Sequence, residues 1–140
     1  MNDLVETSTF NMVPGFRLNR DEAKRNQIIH GKPVAKDAER FTGLSVEKLA
    51  QLVHESFIEL DERQNESPTV QEFGRFMVQH PEFTCHGYTI VKERDDYRVS
   101  IEGLEYNGEV TKEQLIAFTK FCKHADDFIV EDDNLYAWWD

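Results

Sequence analysis

Apolar residues at helical spacing and short runs of β-forming residues follow one another through most of this chain. Val46, Leu49, Leu52, Val53, Phe57 and Leu60 keep helical spacing behind Ser45, which predicts a helix from Ser45 to about Glu62 with the serine as N-cap. A second stripe, Val70, Phe73, Phe76 and Met77, opens at Ser67-Pro68 with Thr69 and Glu72 spaced as a capping box, and Pro81 stops it. A third begins at Thr111 with Gln114 and runs to about His124; Leu115, Phe118, Thr119 and Cys122 line its face, widened by Ile116 and Phe121.

Strands are expected between and after these helices. Tyr88–Lys92 and Tyr97–Ile101 flank the turn Glu93-Arg-Asp-Asp, and the second strand extends toward Tyr106. Asn107-Gly108 reads as a tight type I′ reversal. A last hairpin pairs Phe128–Glu131 with Leu135–Trp139 across Asp132-Asp133-Asn134.

The N-terminal part is less regular. Residues 1–18 carry scattered apolar groups broken by Pro14-Gly15 and read as an arm or edge strand that docks on something. Asn19 and Glu22 suggest a helix start, with a stop at Gly31 after His30, although only Ala23 and Ile28-Ile29 are apolar. Pro33 would open a short helix whose Val34, Ala38 and Phe41 share a face, ended by Gly43.

The second half contains a faint echo. Thr69-Val-Gln-Glu-Phe with Phe76 is answered 42 residues later by Thr111-Lys-Glu-Gln-Leu with Phe118. Ile90-Val91 and Ile129-Val130 each precede a tyrosine, Tyr97 and Tyr136, seven residues after the isoleucine. Identity is low, two of twelve residues over the helices and three of eight over the strands. The expected architecture is one α+β domain over residues 1–140: an arm (1–18), a helical part (19–66), and two helix–β-hairpin units (67–140). In that reading a helical N-terminal half packs on a four-stranded antiparallel sheet.

Charge changes the picture more than composition does. The net charge is −11, and residues 1–40, 41–100 and 101–140 contribute +1, −5 and −7. This gradient disfavours direct binding to nucleic acid or an anionic membrane and suits a basic protein partner. No run of about 18 apolar residues occurs that would span a membrane. The N-terminus lacks the basic and apolar regions of a signal peptide, and two cysteines make no secreted disulfide framework, so the expected location is cytoplasmic.

Candidate chemistry is sparse. Cys85, His86, Cys122 and His124 are the ligand types of tetrahedral zinc, but their spacing fits no finger, so neither a metal nor another cofactor is expected. No nucleophile elbow or phosphate-cradling glycine motif is present, so catalysis is the less favoured reading. Asp126, Asp127, Glu131, Asp132 and Asp133 crowd the last hairpin without the spacing of a calcium loop. Alternation puts Tyr136 and Trp138 on one sheet face and Leu135, Ala137 and Trp139 on the other. Large aromatics ringed by carboxylates resemble an interface centre with a polar rim. The expected role is a non-catalytic acidic interaction module, such as an inhibitor or immunity-type factor covering a basic surface. The alternatives are a small-molecule-binding or catalytic domain with its pocket between sheet and N-terminal helices, or a homodimer using the aromatic face or the arm.

Overall fold

The computed structural model describes residues 5–11 and 15–140. It is α+β, with a five-stranded antiparallel sheet where four strands are expected from sequence. The elements are a 3-10 turn (Thr7–Phe10), α1 (Glu22–Ile29), β1 (Ala38–Leu44), α2 (Val46–His54), α3 (Val70–Gln79), β2 (Thr84–Ile90), β3 (Arg98–Asn107), α4 (Lys112–Phe121), β4 (Asp127–Glu131) and β5 (Asn134–Trp138). Strand order is β1-β2-β3-β5-β4.

The extra strand is β1, where a short helix after Pro33 is expected. A helix that brief gains little on its own. As a strand, residues 38–41 pair in register with β2, from Ala38↔Ile90 to Phe41↔Gly87. A bulge containing Gly43, whose φ is +67°, brings Leu44 opposite Cys85, so that Phe41 and Leu44 are both buried.

α2 is shorter than its apolar pattern. Ser56 takes a left-handed φ of 64°, its N–H donates to the Val53 carbonyl, and the Phe57 N–H donates to Leu52. That pair of bonds is a Schellman stop. Phe57, Ile58 and Leu60 are buried all the same, delivered by the connection rather than by a helix face. α1 is capped by Asp21, not Asn19, whose side chain instead accepts the Asp21 N–H at 2.9 Å. Its weak apolar pattern has a cause: the buried face is Arg25, Asn26 and Ile28. The Arg25 guanidinium donates to the Ile90 carbonyl at 2.9 Å and to Asn26 Oδ1, and lies 4.7 Å over the Tyr97 ring.

Both expected capping boxes form, Thr69 with Glu72 and Thr111 with Gln114. Each helix leads into a hairpin, β2–β3 and β4–β5, and the second strands of the two hairpins pair with each other as β3 and β5. The Ile-Val…Tyr echo occupies unlike places. Ile90 ends β2 and Tyr97 lies in the connection, whereas Ile129 and Tyr136 are direct cross-strand partners. Asn107-Gly108 closes no hairpin; it ends β3 and turns the chain into α4.

One hydrophobic cluster unites the helices with the inner sheet face: Leu49 and Leu52 of α2, Phe73 and Met77 of α3, Phe118 of α4, and Cys85, Ile101, Leu104, Leu135 and Trp139. Trp139 meets the Phe73 ring edge-on at 5.6 Å. Residues 1–4 and 12–14 of the expected arm lie outside the described residues; the part around Phe10 docks on its own chain. Phe10 is fully buried against Gly74 of α3, where a Cβ would strike its ring, and its carbonyl accepts Gln71 Nε2 at 2.8 Å.

Candidate interaction edge

β4 is the terminal strand on one side of the sheet, and all five of its residues are exposed. Phe128, Ile129 and Val130 are 47%, 41% and 44% exposed, and Ile116 on α4 is 57% exposed. These are four of the five large exposed hydrophobics among the described residues. β4 is short and carries a charge at each end, Asp127 and Glu131, as native edges usually do, but between them it leaves three consecutive apolar residues largely open to water.

The five candidate carboxylates bracket that run. Asp126 and Asp127 precede it, and Glu131, Asp132 and Asp133 follow; no Lys or Arg occurs after Lys123. Asp132 and Asp133 make a two-residue turn, since Glu131 pairs with Asn134. Their carbonyls are held from behind, accepting the N–H groups of Val110 and Gly108 at 3.1 Å. Asn134 Nδ2 donates to Asn107 Oδ1 at 2.8 Å, and Asp126 accepts the Asp140 N–H at 2.8 Å. The acidic hairpin is therefore a fixed element.

Its main-chain groups are also accounted for. Trp138 stands opposite Gly103, and the Trp139 N–H donates to the Glu102 carbonyl. This sets the alternation of the ladder: Leu135 and Ala137 bond β3, while Asn134, Tyr136 and Trp138 bond β4. On β4, Asp127, Ile129 and Glu131 face β5, so Phe128 and Val130 direct their N–H and C=O outward.

Tyr136 and Trp138 are half-buried on the face opposite Leu135, Ala137 and Trp139. Tyr136 stacks on the His86 ring, with centroids 5.0 Å apart and planes 4° from parallel. His86 lies across Gly103, where a Cβ would collide with it, and its Nε2–H donates to the Ala137 carbonyl at 3.2 Å. Burial holds the imidazole pKa below its ordinary value despite that bond and nearby Glu105. The buried Glu102 carboxylate on this face pairs with Arg40. Sequence reading does not anticipate this polar network, because its members come from four different strands.

The four zinc-type residues are not brought together. Cys85 faces the core, where burial pushes its thiol up to about 12; His86 turns to the opposite face; Cys122 is buried at the end of α4; His124 is exposed. Among the described residues no group of three or more His, Cys, Asp or Glu is placed to hold a metal ion. A cavity of about 410 Å³ lies between the arm and the end of α2, lined in part by Thr9, Phe16, Val53 and His54. That is away from the expected place between sheet and helices. No helix among the described residues is long and apolar enough to cross a membrane.

Compared with protein-family models, curated proteins and solved structures, the chain matches none of them.

Proposed function

We propose that this protein is a non-catalytic acidic interaction module that covers a basic surface of a partner protein, as an inhibitor or immunity-type factor would. The observation that carries this reading is the β4–β5 hairpin: five carboxylates on a fixed backbone surround an exposed Phe128-Ile129-Val130 run. Apolar centre and charged rim divide the work in the usual way. Desolvation of the centre supplies affinity, while the rim steers association and selects sign. The carboxylates lie within a stretch of chain that holds no Lys or Arg, and Lys112, which shares a groove with Glu131 and Asp132, offsets only part of their field.

The test is affinity capture from lysate at low and high salt. It compares the native chain with a variant carrying D126N, D127N, E131Q, D132N and D133N. The reading expects a basic partner, identified by mass spectrometry, that is lost both at high salt and with the variant. Equal capture by both chains, or no salt-sensitive partner, overturns it.

A further inference from the structure

We infer that β4 receives an extended segment of the partner as a sixth, antiparallel strand, and that this segment carries a central apolar triplet between two basic residues. The inference rests on the interaction reading above and specifies the form of the partner.

Three features of the edge select such a ligand. First, Phe128 and Val130 turn N–H and C=O groups away from β5, and an extended backbone can replace water on both in register. Second, the side chains alternate. Asp127, Ile129 and Glu131 share the face of Tyr136, while Phe128 and Val130 turn toward α4. An antiparallel segment therefore sets a basic, an apolar and a basic residue against the first three, and two apolar residues against the other two. Third, there is room on the α4 side for the residue set against Val130. A groove of about 540 Å³ lies between the start of α4 and the turn end of β4; Val110, Leu115 and Val130 form its apolar lining, beside polar groups that include Lys112, Glu131 and Asp132.

A second copy of the chain fits poorly. Antiparallel self-pairing about Ile129 sets Asp127 opposite Glu131 of the other copy, twice per interface. Like charges directly opposite each other are destabilising. The complementary charge lies on a different protein.

The probe is the labelled peptide Lys-Val-Ile-Val-Lys with neutral flanks, titrated by fluorescence anisotropy at low salt. Three controls go with it: Glu in place of both Lys, N-methylation of both Val, and the scrambled order Val-Lys-Ile-Lys-Val. The basic peptide is expected to bind saturably. N-methylation, which removes two main-chain donors, should weaken it by about tenfold or more. The scrambled and acidic forms should bind more weakly still, and Ile129→Lys, at an exposed position, should abolish binding without unfolding the chain. Equal binding of parent, scrambled and N-methylated peptides overturns strand addition while leaving the acidic-module reading intact. Failure of every basic peptide, scrambled form included, overturns both. Sedimentation showing a dimer that Ile129→Lys dissolves also overturns the inference, because the occupant is then a second copy.

Discussion

Glu62→Gln should stabilise this fold above neutral pH. Glu62 lies in the connection between α2 and α3, where the backbone leaves its side chain little choice. Its N–H donates to the Glu59 carbonyl, and its own carbonyl accepts the Val70 N–H. Burial pushes the carboxyl up to about 7 from 4.5, with the nearby Arg98 charge only partly opposing the shift. At about 1.4 kcal/mol per pKa unit, ionising Glu62 costs the fold about 3 kcal/mol. The sign follows from the folded pKa lying above the unfolded one. Folded protein binds the proton more tightly, so this stabilisation is complete below pH 4.5, declines between 4.5 and about 7, and is gone above that. Glutamine removes the titration and keeps the shape. Urea unfolding at pH 5 and pH 8 is the assay. The native chain should lose about 2.5 kcal/mol between these conditions from this group, and Glu62→Gln should flatten that part of the profile. An unchanged profile in the variant would mean that the Glu62 carboxylate is solvated in the folded state, and the reasoning fails.

Gly103→Ala should destabilise by about 1–3 kcal/mol, since its Cβ would occupy the place of the His86 ring and the Ala137 carbonyl. Adding His86→Ala should recover part of that loss, and strict additivity in the double-mutant cycle would show that the two residues do not touch. The thiols of Cys85 and Cys122, buried and each pushed up to about 12, should resist alkylation at pH 8 in the folded protein and react on unfolding; fast native-state labelling of either contradicts the packing.

Local chemistry was legible where it acted alone. Both capping boxes and the stripes of Val70-Phe73-Met77 and Phe118 follow from spacing, because the groups concerned lie within one turn of each other. Legibility failed where a distant segment decided the outcome. Residues 38–44 became a strand because β2 offered an unpaired edge, and α1 buries an arginine because the Ile90 carbonyl and the Tyr97 ring receive it. The Ser56 stop was hidden for another reason, since serine carries no strong left-handed preference. At the candidate edge, sequence located the carboxylates and the alternation of Tyr136 and Trp138. It gave no sign that Phe128, Ile129 and Val130 would be exposed, because a run of three apolar residues usually marks a covered strand. Strand order exposes them: the tight Asp132-Asp133 turn sets β4 outside β5, with nothing beyond it among the described residues.

The central claim is that β4 pairs through its outward main-chain groups, and amide hydrogen exchange reads those groups directly. With the Lys-Val-Ile-Val-Lys peptide at saturation, the N–H groups of Phe128 and Val130 should slow markedly, while that of Ile129, already committed to β5, changes little. Peptide binding with no added protection at Phe128 and Val130 would contradict it.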